Sequence, residues 1–224
     1  MGIADDRAFL WELLGDTTRH CAKSTQPQTG QPCCVEWRRT KFDTQNVVLV
    51  EDGDNASLRN ICLDGVSPNG IILKPDNFAI SFFTKGSWNK ACDYIVLTEN
   101  NGNKFAVFLE LKSTLDDQPD QNGHLRLRSK KDIGTAWQLN SASALFDYLC
   151  NIEQRMDPSG PHDLNSYTRV FVVLYANYKT GVQSVIRPTV SQQNIGSVSF
   201  VHKNIKAFYI RNPNIGRVQI TDLL

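Results

Sequence analysis

A chain of 224 residues is long enough to bury a full hydrophobic core without disulfide or metal staples. Its composition, 41% apolar and 21% charged, is that of a globular protein and excludes disordered or collagen-like chains. With 24 Lys and Arg against 23 Asp and Glu, the net charge is +1, so any grip on nucleic acid must come from a local patch rather than bulk charge.

In chain order, residues 5–14 (DDRAFLWELL) predict a short helix, with Asp5 and Asp6 at its positive end and Gly15 as a stop. This acidic segment, which also holds Glu12, lacks the basic start of a secretory signal, and no apolar run approaches the roughly 18 residues that cross a bilayer. A cytoplasmic protein with no membrane partner is expected. Residues 16–34, rich in Thr, Gln, Ser, Pro and Gly and without period, predict a loop. NVVLV at 46–50 predicts a buried strand, with the acidic EDGDN after it as a turn.

Three further strands are expected at 78–83 (FAISFF), 93–98 (DYIVLT) and 105–112 (FAVFLELK). Glu99-Asn100-Asn101-Gly102-Asn103 contains Asn-Gly and should fold the last two into an antiparallel hairpin. The 105–112 strand is apolar on both faces until its end, as a central strand is. Residues 114–131 are polar and irregular. The longest helix is expected at 133–152, where Ala136, Leu139, Ala142, Leu145, Phe146 and Leu149 recur at three and four. PSGPHD from Pro158 breaks the chain, YTRVFVVLYA at 167–176 is a strongly apolar strand, and short strands follow at 198–202 and 206–210 before RVQITDLL. The order predicts an α/β fold with a central mixed β-sheet flanked by helices. It forms a single domain over 1–224, decorated by the helix and loop of 1–45 and the C-terminal strands of 195–224.

The chemistry concentrates in residues 91–113. Asp93 opens one strand of the hairpin, and Glu110 and Lys112 close the other. Strand side chains alternate, so Glu110 and Lys112 point the same way. Two charges on an otherwise apolar strand are costly unless they pair or meet a metal. The tripeptide Glu110-Leu111-Lys112 carries little weight alone, since composition supplies about one such match by chance. The weight lies in its place at the end of a buried strand, with an Asp at the start of the preceding one.

That arrangement resembles the PD-(D/E)xK nuclease superfamily, which includes many restriction endonucleases and repair nucleases. The resemblance covers residues 91–113 well and extends loosely from the first helix to the 167–176 strand. It implies a restriction-endonuclease-like core, with Asp93 as the first acid, Glu110 as the second and Lys112 as the lysine. The usual proline before the Asp is Cys92 here, at a position without chemistry. A literal Pro75-Asp76 is set aside because another expected strand separates it from Glu110. The resemblance implies that Asp93, Glu110 and the Leu111 carbonyl hold Mg²⁺ or Mn²⁺, which activates water for in-line attack on phosphorus, and that Lys112 orients the water or stabilises the phosphate charge. Gln138, early in the long helix, matches a position from which such enzymes often place a Gln or Lys at the site. Glu12 would be a third acid, against the plainer reading of an exposed helical residue.

Arg126, Arg128, Lys130 and Lys131 lie between the motif and the long helix and would contact phosphates, against the alternative of a solvated turn. Lys203, Lys206, Arg211 and Arg217 form a weaker cluster of the same kind. His20-Cys21 and Cys33-Cys34 have the wrong spacing for zinc, and no nucleophile elbow or P-loop is present. The expected function is metal-dependent hydrolysis of phosphodiesters, in DNA ahead of RNA, by a restriction enzyme or a bacterial defence effector. Target choice would rest on loops, a homodimer or a partner protein. The rivals are a non-catalytic nucleic-acid- or partner-binding module on the same fold, and a small-molecule enzyme using Asp93 and Glu110 as an acid/base pair.

Overall fold

A computed structural model describes residues 2–15, 33–34, 41–43, 46–49, 58, 61–75, 91–115, 135–178, 192–195, 205–210 and 216–224. In chain order these form α1 (Ile3–Gly15), β1 (Cys33–Cys34), β2 (Lys41–Asp43), β3 (Asn46–Leu49), β4 (Ile61–Asp64), β5 (Ile71–Leu73), β6 (Tyr94–Asn100), β7 (Asn103–Leu115), α2 (Thr135–Met156), β8 (Thr168–Tyr178), β9 (Gln192–Ile195), β10 (Ile205–Tyr209), β11 (Gly216–Gln219) and α3 (Ile220–Leu223). A larger, mixed sheet runs β1-β5-β6-β7-β8-β10-β9, and a smaller one runs β11-β4-β3-β2.

The hairpin at the centre of the larger sheet follows from its turn. Asn101 and Gly102 both take left-handed backbone, with φ of 51° and 77°, as a two-residue type I′ turn demands. They set the register of β6 against β7, from Asn100–Asn103 to Tyr94–Leu109. β7 then pairs in parallel with β8, Phe105 opposite Thr168 and Lys112 opposite Tyr175. A parallel return needs a crossover, and α2 lies on it, between β7 and β8 in sequence.

Alternation along β6 and β7 sends side chains to two cores. Ile95, Leu97, Ala106 and Phe108 meet Leu10 and Leu14 of α1 and Leu139, Ala142, Phe146 and Leu149 of α2. Tyr94, Val96, Val107, Leu109 and Leu111 meet Leu49, Ile61, Leu63 and Val218 of the smaller sheet, with Ile220 and Leu223 of α3. Helices, large sheet and small sheet therefore form three layers. Phe108 stacks on Phe171 at 4.9 Å and meets Phe146 edge-on at 6.0 Å; burying one such side chain stabilises by roughly 1.5–3 kcal/mol.

The expected helices at 5–14 and 133–152 and the strands at 46–50, 93–98, 105–112, 167–176 and 206–210 all have counterparts. Cys33–Cys34, expected within a loop, instead pairs in parallel with Ile71–Ile72. β4 and β5 were not expected, and RVQITDLL divides into β11 and α3. The expected EDGDN turn, the strands at 78–83 and 198–202, and most of the 16–34 and 114–131 segments lie outside the described residues. Among the described residues, no helix is long and apolar enough to cross a membrane.

Candidate active site

The last backbone pair of the β6–β7 ladder is Tyr94–Leu109. One step further Asp93 stands opposite Glu110. Both alternate with Ile95 and Phe108, so both project to the helix-covered face, as Lys112 does two residues on. Asp93 is 8% exposed and Glu110 1%. Setting two acids opposite each other in a buried position opposes folding, because like charges repel and each carboxylate loses its water.

Backbone donors offset part of that cost. The Leu111 N–H donates to Asp93 Oδ2 at 2.7 Å, and the Asp93 N–H donates to Glu110 Oε2 at 3.2 Å. The two side chains thus extend the ladder beyond its last backbone pair by capping each other's strand. Glu110 Oε1 pairs with the Lys112 ammonium. Lys112 Nζ also donates to Gln138 Oε1 at 3.1 Å, and Gln138 Nε2 donates to the Ala91 carbonyl at 3.4 Å. Gln138, in the first turn of α2, therefore links Lys112 to the segment that enters β6. The Lys112 side chain is 30% exposed, so the site borders solvent along this residue.

The donors suit a hard divalent cation. The Leu111 N–H points to the side where β6 has ended, and a strand residue's carbonyl points the same way as its N–H. Asp93, Glu110 and the Leu111 carbonyl thus present oxygens to one region, the ligand type that Mg²⁺ and Mn²⁺ prefer. Among the described residues no group of three or more His, Cys, Asp or Glu could hold a metal ion. A cation here would rest on two carboxylates, one backbone oxygen and water, a sparse protein ligand set that Mg²⁺ commonly accepts.

Other candidates are placed differently. Glu12 is solvent-exposed on α1. Arg126, Arg128, Lys130, Lys131 and Asp76 lie outside the described residues, as do Lys203 and Arg211. Lys206 donates to the carbonyls of Leu223 and Leu224 at 3.0 and 2.6 Å, and Arg217 grips Asp64 with two bonds of 2.9 and 3.0 Å. Both cations thus have partners within the chain. Cys92, just before Asp93, is fully buried and its thiol donates to the Tyr94 carbonyl at 3.2 Å. The sequence did not reveal the Ala91 carbonyl as the anchor of Gln138; its only trace is a small residue two before Asp93.

No protein-family model, curated protein or solved structure matches the chain.

Proposed function

We propose that the chain is a metal-dependent nuclease of the PD-(D/E)xK type, cytoplasmic, hydrolysing phosphodiester bonds in DNA ahead of RNA as a restriction or bacterial defence effector. One observation carries this reading: two buried carboxylates face each other where the central strand pair opens, with a partly exposed lysine on the same face. Acids so placed oppose folding, and such arrangements concentrate where chemistry is done.

Asp93, Glu110 and the Leu111 carbonyl are the groups that would hold Mg²⁺ or Mn²⁺. Bound there, the ion would supply a more acidic water and would neutralise charge at the phosphate. Gln138 holds the Lys112 ammonium beside Glu110, where it can meet a phosphate oxygen entering from the solvent side. A water oxygen would bond to phosphorus as the bond to the 3′-oxygen breaks, with the water's proton lost to solvent and the departing 3′-alkoxide protonated from solvent. Arg126, Arg128, Lys130 and Lys131 are the proposed phosphate contacts that position the substrate.

The reciprocal capping by Asp93 and Glu110 favours a second reading, in which the acids only close the hairpin and the chain is a non-catalytic binding module. Incubation with plasmid and linear DNA in Mg²⁺, Mn²⁺ or EDTA separates the two. Cleavage that requires the metal and disappears in Glu110→Gln supports the nuclease. DNA or partner binding without metal-dependent cleavage supports the module.

A further inference from the structure

At the other end of α2 lies a cluster that the proposed chemistry does not use. His162, on the crossing from α2 to β8, has a side chain only 5% exposed. Its Nδ1 lies 2.9 Å from Glu153 Oε1 and its Nε2 lies 3.0 Å from Asp157 Oδ2. A neutral imidazole has one N–H and can donate to only one of these carboxylates; its bare nitrogen would face the other lone pair to lone pair. Only the imidazolium donates to both. The Phe9 ring from α1 lies 4.3 Å from the His162 ring, centroid to centroid, within the range where an aromatic face attracts a cation.

The surroundings anchor the cluster. Both oxygens of Glu153 accept the Leu164 N–H at 3.0 Å, and Asp6 of α1 accepts the Asp163 N–H at 2.8 Å. Gly160 passes so close to Asp157 and His162 that any Cβ there would collide with both side chains. Among the described residues, the charged groups that meet the ring are Glu153 from α2 and Asp157 just after it; Asp6 of α1, which accepts the Asp163 N–H, is paired with Lys104 of β7 at 2.7 Å. Arg7 stands one residue from Asp6 and about 200° around α1 from Phe9, on another side of the helix.

We propose that His162 is a proton-operated latch: as an imidazolium it bridges Glu153 and Asp157 and fastens the α2–β8 crossing to the C-terminal end of α2, beside the Phe9 ring of α1, and loss of its proton releases that crossing. Burial disfavours the charged ring, but hydrogen bonds and charge from Asp157 and Glu153 outweigh burial and raise its affinity for the proton above the ordinary value. The native state therefore holds this proton more tightly than the unfolded chain. The latch contributes fully below about pH 6.5, the ordinary histidine value, and its contribution is lost as pH rises through the higher native value.

The test is an NMR titration of the His162 ring in the full chain, with melting followed from pH 5.5 to 9 for the wild type and His162→Gln. The expected results are a midpoint above the ordinary histidine value, a melting-temperature gap between the two proteins that is widest at low pH and shrinks toward pH 9, and a lower protection factor at Leu164 at high pH, taken relative to the intrinsic base-catalysed exchange rate. A midpoint at or below the ordinary value, or a gap that does not change with pH, overturns the latch. Should His162→Gln fail to fold, Asp157→Asn removes one anchor at a half-exposed position and should lower the midpoint; an unmoved midpoint overturns the proposal.

Discussion

The β7–α2–β8 crossover has a buried ionic cluster at each end, and the two are built on opposite rules. At the start of β7, Asp6 is fully buried and takes three donors, one from β7 and two from the α2–β8 crossing: Lys104 at 2.7 Å, the Tyr167 hydroxyl at 2.8 Å and the Asp163 N–H at 2.8 Å. Burial and the neighbouring Asp6 raise the Tyr167 hydroxyl well above its usual range, which keeps it a neutral donor. One acid there meets a cation, a hydroxyl and an amide. At the other end of β7, an acid meets an acid, and the cation beside them reaches solvent. A cluster that holds a fold matches opposite partners; a cluster that sets like charges together gives up stability for something else.

That contrast can be broken most sharply by activity. Glu110→Gln and Lys112→Ala are each expected to lower metal-dependent DNA cleavage by about 100-fold or more, while melting stays near wild type. Unchanged cleavage in Lys112→Ala would remove the lysine's proposed role. At the opposite end, Asp6→Ala leaves the Lys104 ammonium, only 9% exposed, without its buried counter-charge. A loss of about 3–5 kcal/mol in urea unfolding is expected, and a loss below about 1 kcal/mol would show that the Asp6 cluster does not hold the fold.

A smaller effect concerns DNA affinity. Replacing Arg126, Arg128, Lys130 and Lys131 with Ala should flatten the slope of log DNA affinity against log salt by roughly one unit for each phosphate that is no longer neutralised. Binding in Ca²⁺ across a salt series measures it, with metal dependence unaltered. An unchanged slope would assign these residues to a solvated turn. The smallest effect tests the like-charge rule itself. Asp93→Asn keeps an oxygen for the Leu111 N–H and removes one of two opposed charges, so stability should rise by up to about 1 kcal/mol while cleavage falls. A clear destabilisation in chemical unfolding would show that the Asp93 charge serves the hairpin.

The sequence made much of this crossover legible because its signals are local. Asn101-Gly102 between two apolar runs specifies a hairpin, and Leu139, Ala142, Phe146 and Leu149 specify a helix face, without reference to the rest of the chain. The same alternation placed Glu110 and Lys112 on one face. Two short strands were not legible. Ile61–Asp64 of the smaller sheet and Ile71–Leu73 of the larger are four and three residues long, too short for a period to stand out, and β4 becomes a strand only through pairing with β3 and with β11. The reciprocal capping of Asp93 and Glu110 was hidden for a similar reason: it depends on where the ladder stops, which register sets and composition does not. His162 gave no sign, because Glu153 lies nine residues away across a break and only the folded crossing joins them.

The parallel pairing of β11 with β4 brings Arg217 to Asp64, residues 153 apart in the chain. For a ribosome this separation is a delay. While β2, β3 and β4 can pair as soon as they emerge, the outer edge of β4 stays open through synthesis of the whole larger sheet, and Ile61 and Leu63 wait for Val218, Ile220 and Leu223 to cover them. Pairings of such long range are slow to form. The nascent chain is thus expected to present a short unpaired apolar edge at β4 late in its synthesis, and that edge, rather than either ionic cluster, marks where it is most open to mispairing with another copy.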